Sequence, residues 1–154
     1  MTDPVRPAKK PERFKFVSAV HLILVRKNKV LLLRRYNTGY EDGNYSVIAG
    51  HLDGDEKVKS AMIREASEEA GITIQENNIE IIGVMHRMSS DERIDFFLKC
   101  EEWQGDISNM EPHKCDSLEW FNLDKLPNNV VPYVRKGIEN YLSNKMFDSF
   151  GWQQ

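Results

Sequence analysis

The hydrophobic and polar positions of this chain switch between the period of a strand and the period of a helix. Short runs rich in β-branched and aromatic residues predict strands over residues 14–26, 30–35, 45–49, 79–87, 93–100 and 118–121. Two segments carry apolar residues three and four positions apart, which predicts helices over residues 57–70 and 133–145. Strands on both sides of one central helix, followed by a second helix, predict an α/β fold with a mixed sheet between helices.

The central predicted helix carries three glutamates on one side. Glu65, Glu68 and Glu69 are spaced i, i+3, i+4, so their side chains lie together, and Gly71 stands where a helix-ending glycine belongs. Like charges at this spacing destabilise an isolated helix by a few tenths of a kcal/mol, roughly. A divalent cation would offset the repulsion, because carboxylate oxygens are the ligands that Mg²⁺ and Mn²⁺ prefer. The alternative is a solvated acidic face.

The residues around this helix spell a longer pattern. A loop bracketed by Gly50 and Gly54 precedes the helix, and glycine allows a backbone carbonyl to approach an ion closely. The segment resembles the Nudix box, G-x5-E-x7-R-E-U-x-E-E-x-G-U, in which U is usually a bulky aliphatic residue. The positions in register are Gly50, Glu56, Arg64, Glu65, Glu68, Glu69, Gly71 and Ile72. Ala66 alone departs, being smaller than is usual at its position.

The resemblance implies a fold, an activity and a set of metal ligands. The Nudix fold is an α/β/α sandwich with a mixed central sheet, and the family hydrolyses a nucleoside diphosphate linked to another group, X. The metal ligands it implies for Mg²⁺ or Mn²⁺ are the Gly50 carbonyl and the side chains of Glu65, Glu68 and Glu69. Arg64, part of the catalytic motif, is expected to pair with Glu56 and to fix the loop against the helix.

Two glutamates are candidates for the general base that takes a proton from water. In some relatives a glutamate of the box does this, and in others a glutamate from a downstream loop does. Glu65 is the first choice within the box. Glu111 is the downstream candidate, because it lies near the end of a long loop predicted over residues 101–114. An exposed loop acid is the alternative interpretation of Glu111.

Arginines suit the phosphate groups of such a substrate, because they stay charged and bind oxygens as a fork. Arg34 and Arg35 end a predicted strand, so alternation sends one inward and the other outward. The resemblance to MutT-type members favours one of them as a phosphate ligand, with Arg35 preferred. Arg87, Arg93 and Lys114 are further candidates, each more typical of a surface charge.

The organic part of the substrate calls for stacking and hydrogen bonding. Trp120, Phe14 and Tyr36 are stacking candidates, with core or rim packing as the alternative. In MutT-type relatives an asparagine reads the purine, which makes Asn129 a candidate here. His21 lies in the middle of a predicted strand, where a hydrogen-bonded core histidine is the expected role.

The favoured substrate is inferred from subfamily signatures that are absent downstream of the box. No proline lies between Gly71 and Pro112, so the signature that the resemblance associates with ADP-ribose hydrolases is absent. Elimination favours a MutT-like nucleoside triphosphate pyrophosphohydrolase that releases a monophosphate and pyrophosphate. A nucleotide sugar or a non-nucleotide pyrophosphate is the alternative substrate. A catalytically silent nucleotide sensor is the alternative role, although such modules commonly lose box glutamates.

Composition and charge restrict the remaining classes. The 154 residues predict a tail over residues 1–12 and one domain over residues 13–154. A net charge of −3 lacks the excess of basic residues that is typical of proteins that bind a nucleic-acid polymer. No apolar run is long enough for a membrane span, and no signal peptide is expected. Cys100 and Cys115 are too few for a disulfide scaffold, which favours a cytoplasmic protein, with a homodimer left open.

Overall fold

A mixed sheet of eight strands lies between two helices. The computed structural model describes residues 4–5 and 11–153. The strands are β1 Val17–Arg26, β2 Lys29–Arg35, β3 Tyr45–Ser46, β4 Ile48–His51, β5 Ile79–Met88, β6 Glu92–Cys100, β7 Cys115–Asn122 and β8 Phe147–Phe150. The helices are α1 Val58–Ala70 and α2 Pro132–Leu142, with a short 3₁₀ turn at Glu76–Asn78. The predicted α/β/α arrangement is confirmed.

Strand β1 is the centre of this sheet. The strands run in the order β3-β2-β1-β6-β5-β8, while β4 also pairs with β1 and β7 with β2. The β1–β6 and β5–β8 pairs are parallel, and the other pairs are antiparallel. The Val20↔Gly50 register between β1 and β4 brings the start of the glycine loop onto the sheet, next to α1.

Alternate side chains of β1 enter two different cores. Val20, Leu22 and Leu24 pack in the core that contains the buried face of α1. Ile23 and Val25 pack in the core that contains α2. Because strand side chains alternate between faces, a strand that is apolar on both faces must be covered on both. The two helices provide that cover.

Helix α1 is held close to the sheet by small side chains. Its buried residues are Ala61, Met62, Glu65, Ala66 and Ala70. Gly71 ends the helix in the left-handed conformation, with φ of 69°, and its N–H donates to the carbonyl of Ser67 at 3.1 Å. An L-residue with a Cβ rarely adopts this conformation, so the predicted role of this glycine is confirmed.

The second helix ends earlier than its pattern predicts. It begins at Pro132, one residue before the predicted start, but stops at Leu142, which is 48% exposed. Asn144 then takes a positive φ of 59°, and the chain turns back to form β8 beside β5. The sequence pattern does not predict β8, because its four residues, Phe147–Phe150, lie beyond the expected helix end.

Three further expectations concern the termini, the cysteines and membranes. Most of the predicted tail over residues 1–12 lies outside the described residues. Cys100 and Cys115 are both free and buried. Neither helix in the part of the chain that the structure describes has the length and apolar character needed to cross a membrane.

Candidate active site

A cavity of about 730 Å³ opens beside the acidic side of α1. Its lining includes the predicted metal ligands Gly50, Glu65, Glu68 and Glu69, together with Glu111 from the loop before β7. We call it the carboxylate cavity. Helix α1 supplies three of these acids, β4 supplies the glycine, and the long loop brings Glu111 across from the other side. The structure therefore gathers both predicted bases and all predicted metal ligands in one place.

Gly50 and Glu65 are packed against each other without space for a side chain on residue 50. An ideal Cβ on Gly50 would lie 2.0 Å from Cδ and 2.1 Å from Oε1 of Glu65. Glu65 itself is buried. The absence of a Cβ at this position lets a carboxylate lie directly on the backbone of β4.

Arg64 joins the loop, the helix and two of the acids. Its Nη2 donates to Oε1 of Glu56 at 2.9 Å and to the carbonyl of His51 at 3.2 Å, so the structure contains the expected pair. Its Nη1 donates to Oε1 of Glu65 at 2.8 Å and lies 3.6 Å from Oε2 of Glu68. The hydrogen bond to Glu56 raises the pKa of Arg64, which keeps this cation charged. The guanidinium neutralises part of the acidic face.

Glu69 is a partly buried carboxyl group among other acids. Its Oε2 accepts the N–H of Ala49 at 3.2 Å. Burial raises the pKa of Glu69 to about 8; the Ala49 hydrogen bond opposes the rise, and Glu65 and Glu111 add to it. Burial likewise raises the pKa of Glu65, against its hydrogen bond to Arg64. Acids that repel each other in a partly desolvated place form a donor set that a divalent cation stabilises.

The residue types therefore fit a divalent cation. Within residues 4–5 and 11–153, no three acidic, histidine or cysteine side chains are gathered closely enough to hold an ion. One carboxylate oxygen of Glu65 accepts a hydrogen bond from Arg64.

Arg35 is held at the cavity by the loop over residues 36–44. Its Nε donates to the carbonyl of Tyr40 at 2.7 Å, and its Nη2 donates to Oγ1 of Thr38 at 3.1 Å. Asp42 fixes that loop, because it accepts from the Thr38 hydroxyl and from the N–H groups of Thr38 and Gly39. An arginine whose fork is already oriented is prepared to bind an anion.

The other predicted substrate contacts lie elsewhere. Arg34 forms a two-pronged pair with Asp116, at 2.7 and 3.1 Å, and does not line the carboxylate cavity. Asn129 donates from Nδ2 to the carbonyl of Gly43 at 2.9 Å and is not among the cavity's lining residues. Phe14 and Tyr36 are exposed and also lie outside that lining.

Trp120 belongs to an aromatic stack with Trp103. Its ring lies parallel to that of Trp103, with 6.0 Å between the centroids and 20° between the planes. Arg26 lies over both rings, at 4.6 Å from Trp103 and 5.3 Å from Trp120. Trp120 also packs against the core beneath α1 and does not line the carboxylate cavity. The structure gives this tryptophan a packing role.

A compact turn places Glu111 at the cavity. Its N–H donates to Oδ1 of Asn109 at 3.1 Å, and its carbonyl accepts from the N–H groups of Lys114 and Cys115 at 2.9 and 3.0 Å. The Lys114 ammonium lies 3.9 Å from the Glu111 carboxylate, and His113 and Lys114 line the same cavity. The loop expected over residues 101–114 therefore delivers an acid and a cation together.

A second cavity of about 350 Å³ lies on the other side of β4. We call it the arginine cavity, because Arg35, Arg87 and Arg93 line it. It shares the lining residues Arg35, Ala49, Gly50 and His51 with the carboxylate cavity, so the two cavities adjoin at β4. Arg87 is only 5% exposed, which contradicts the expectation of a surface charge.

Beneath the arginine cavity lies a buried polar network. Arg87 donates to Asp95 from Nε at 2.6 Å, and its guanidinium lies 3.7 Å from the ring centroid of Tyr133. His21 donates from Nδ1 to the carbonyl of Phe96 at 3.4 Å and accepts from the Tyr133 hydroxyl at 3.0 Å. Desolvation lowers the pKa of His21 to about 4, so the ring is neutral. The expectation of a hydrogen-bonded core histidine is confirmed.

Asp95 is the residue of this network that the sequence analysis misses. Its side chain is fully buried in the middle of β6, within the otherwise largely apolar segment Ile94–Leu98. A single acid among apolar strand residues indicates a buried ion pair, because a buried carboxylate requires a partner. Arg87 is that partner.

Comparison with known proteins identifies the family. The NUDIX domain profile matches residues 15–141. This chain belongs to the Nudix family. The resemblance to the Nudix family that the Gly50–Ile72 segment carries is therefore confirmed.

Curated Nudix relatives resemble the chain over part of their length. The NAD-capped RNA hydrolase NudC of Pseudomonas aeruginosa PAO1 is 29% identical over 106 residues, which cover 69% of this chain and 36% of the relative. NudC of Stutzerimonas stutzeri A1501 is 27% identical over 136 residues, covering 88% of this chain and 46% of the relative. The chain spans less than half the length of these relatives.

Solved Nudix structures share the fold. The MutT Nudix hydrolase of Burkholderia pseudomallei superimposes with a TM-score of 0.75 at 24% identity, covering 82% of this chain and 98% of the other. The MutT protein of Bacillus halodurans gives a TM-score of 0.72 at 21% identity, covering 90% and 91%. At these identities the likeness concerns the fold alone.

Proposed function

We propose that this Nudix protein is a divalent-metal-dependent pyrophosphohydrolase that cleaves a nucleoside diphosphate linked to another group. The observation that carries the proposal is one cavity that holds four glutamates opposite two cations. The glutamates are Glu65, Glu68, Glu69 and Glu111, and the cations are Arg35 and Lys114. A polyphosphate needs both kinds of group, because its negative charge must be neutralised before water can attack phosphorus.

The metal would be held by the Gly50 carbonyl and the carboxylates of Glu65, Glu68 and Glu69. When bound, Mg²⁺ or Mn²⁺ would screen phosphate oxygens and lower the pKa of a water molecule. Arg64 keeps the loop and α1 in their relative positions through its bonds to Glu56 and to the His51 carbonyl. Its loss would disturb all the ligands at once.

A carboxylate must take the proton from the attacking water, and Glu111 is the better placed of the two candidates. Glu65 is bound to Arg64 at 2.8 Å and is one of the expected metal ligands. Glu111 approaches one cation, Lys114, at the longer distance of 3.9 Å. Glu111 is therefore free to accept a proton, while Arg35 and Lys114 bind phosphate oxygens.

The first substrate to test is a nucleoside triphosphate, cleaved in the MutT-like manner to a monophosphate and pyrophosphate. Solved MutT proteins share the fold, and the four glutamates of the Nudix box are all present. The relatives named NAD-capped RNA hydrolase make NAD and an NAD-capped RNA oligonucleotide the second pair to test. Nucleotide sugars and non-nucleotide pyrophosphates are further alternatives.

Product-resolved chromatography with this panel tests the proposal. Each compound is incubated with the protein and Mg²⁺ or Mn²⁺, beside the Glu68→Gln variant as a matched control. We expect cleavage of at least one phosphoanhydride that needs the metal and falls by orders of magnitude in the variant. Tight binding of a nucleotide without any cleavage would instead support a silent sensor.

A further inference from the structure

The arginine cavity has the opposite charge from the cavity beside it. Arg35, Arg87 and Arg93 line it, and none of its described lining residues is acidic. The carboxylate cavity, by contrast, is lined by Asp53, Glu65, Glu68, Glu69 and Glu111. The two cavities adjoin at β4, where Ala49, Gly50 and His51 line both. A ligand that extends past β4 from the carboxylate cavity would meet cations at its far end.

Two of the three arginines are held in place by carboxylates that do not line the cavity, and Arg35 is held by the Tyr40 carbonyl and the Thr38 hydroxyl. Asp95, fully buried, binds Arg87 through Nε and Nη2. Asp91 binds Arg93, at 2.5 Å between Nε and Oδ1. Lysines would be free to turn towards solvent, whereas paired arginine forks keep their direction. The cations are therefore fixed before any ligand arrives.

Arg87 has a donor left for a ligand. Its Nε and Nη2 are used by Asp95, and no acceptor for Nη1 occurs among residues 4–5 and 11–153. In that part of the chain no buried side-chain nitrogen lacks a hydrogen-bond partner. Nη1 is therefore not a buried atom without a partner, and Arg87 is one of the residues that line the arginine cavity.

The lining offers little to a stacked nucleobase. Its two tyrosine rings already carry guanidinium groups, Arg87 at 3.7 Å from the Tyr133 centroid and Arg35 at 5.2 Å from the Tyr40 centroid. The rest of the lining is polar or small: Ala19, His21, Ala49, Gly50, His51, Ser89, Ser90 and Arg93. Serine hydroxyls and arginine forks suit an anion with several oxygens better than an apolar ring.

We propose that the arginine cavity binds a second phosphate group of the substrate, a phosphate monoester separate from the phosphoanhydride that is cleaved. Among nucleoside diphosphates linked to another group, the chain would then prefer the member that carries an additional phosphate. This inference rests on the proposed function for the reaction, but the binding of the second phosphate requires no catalysis.

Binding to the metal-free protein tests the subsite directly. Coenzyme A and dephospho-coenzyme A differ by one phosphate monoester, and isothermal titration in EDTA compares them. We expect coenzyme A to bind about tenfold tighter, as one or two hydrogen bonds between charged groups provide. Arg93→Gln and Arg87→Lys should each remove most of that difference. Arg87→Lys keeps a positive charge beside Asp95, so the buried carboxylate is not left without a cation.

Arg26→Gln is the matched control for the lost charge. Arg26 lies at the opposite end of β1 from the Val17↔Arg93 register pair and contacts Trp103 and Trp120 instead. The Arg26→Gln variant should keep the full preference for coenzyme A over dephospho-coenzyme A. Equal binding of the two compounds by the wild type, or a preference that survives both Arg93→Gln and Arg87→Lys, would overturn the inference.

Turnover with Mg²⁺ separates this inference from the proposed function. The pairs are coenzyme A with dephospho-coenzyme A, and NADP⁺ with NAD⁺, and we expect kcat/KM to favour the phosphorylated member of each about tenfold. A binding preference without hydrolysis of any compound would support the subsite and contradict the proposed reaction. Hydrolysis without a preference in binding or turnover would support the reaction and overturn the subsite.

Discussion

Gly50 and Glu65 are in direct contact: a Cβ on residue 50 would lie 2.0 Å from the Cδ atom of Glu65. Real Cβ atoms do not approach other atoms this closely, so one of the two residues would have to move. Gly50 is held by its pairing with Val20 of β1, whereas Glu65 is a side chain that can rotate. The position of a predicted metal ligand therefore depends on the absence of a side chain on its neighbour.

Gly50→Ala should displace Glu65 and lower turnover by about a hundredfold or more, since misplacing a catalytic group by roughly 1 Å can cost this much. Gly83→Ala is the control, because its Cβ would meet Phe97 at an ordinary 3.6 Å. Kinetics and urea unfolding of both variants provide the measurement. In a Glu65→Ala background, Gly50→Ala should cost little further stability. A Gly50→Ala enzyme of normal activity would show that Glu65 has no fixed role.

Glu111→Gln should lower kcat by about a hundredfold or more if Glu111 is the general base, because such catalysis contributes roughly 10²–10⁴. The affinity for Mn²⁺ should stay near that of the wild type. Steady-state kinetics and a Mn²⁺ titration provide these readouts. A loss of Mn²⁺ affinity would make Glu111 a metal ligand instead.

Arg35→Ala should raise KM more than it lowers kcat, because it removes a fork that binds phosphate in both the ground state and the transition state. Arg34→Ala is the matched comparison on the adjacent residue of β2. Arg34 binds Asp116 at the surface and lines neither cavity, so we expect its kinetics to stay near those of the wild type. The opposite ranking of the two variants would reverse the assignment.

Much of the site is predicted by the sequence because it is local. Glu65, Glu68 and Glu69 share a helix face by spacing alone, and the Arg64–Glu56 pair spans only eight positions. The prediction that one of two adjacent arginines points inward is also a local property of a strand. The fold follows from the same periodicities, since each predicted strand and helix recurs in the structure within a few residues.

The parts that were not predicted depend on which strands become neighbours. The Arg87–Asp95 pair forms only because β5 and β6 pair in the register Met85↔Asp95, with an irregularity between Ile81 and Gly83. Trp120 pairs with Leu31 of β2, and its ring stacks on the ring of Trp103. Neither contact can be predicted from the residue pattern of a single strand.

Stability should fall as the pH drops from about 6.5 to about 4, partly because of His21. Desolvation lowers its folded-state pKa to about 4, against the opposing effect of Asp95 and with a further lowering by Arg87. The unfolded chain binds a proton in this window and the folded chain does not, so protonation favours unfolding. The full effect is about 3 kcal/mol, at about 1.4 kcal/mol per pKa unit.

Urea unfolding of the wild type and His21→Gln at pH 4 to 8 measures this contribution. Other groups titrate in both proteins, so the difference between the two curves isolates the histidine. The wild type should lose more stability than the variant below pH 6.5. Parallel curves would mean that His21 is protonated in the folded protein, contrary to its burial beside Phe97 and Tyr133.

The central claim is that the carboxylates of α1 bind the cations that allow water to cleave a phosphoanhydride. Mn²⁺ titration followed by electron paramagnetic resonance, on the wild type and Glu68→Gln, tests it most directly. The Glu68 side chain is about half exposed and its nearest cation is Arg64 at 3.6 Å, so the variant should fold normally. Glu76→Gln is the control, because Glu76 pairs with Lys57 at 2.9 Å on the surface.

The wild type and Glu76→Gln should bind Mn²⁺ with equal affinity. Glu68→Gln should bind it about tenfold more weakly or worse, since a ligand carboxylate contributes at least as much as one hydrogen bond between charged groups. Unchanged Mn²⁺ binding in Glu68→Gln, or no binding by the wild type at all, would show that the carboxylates of α1 are not the metal site.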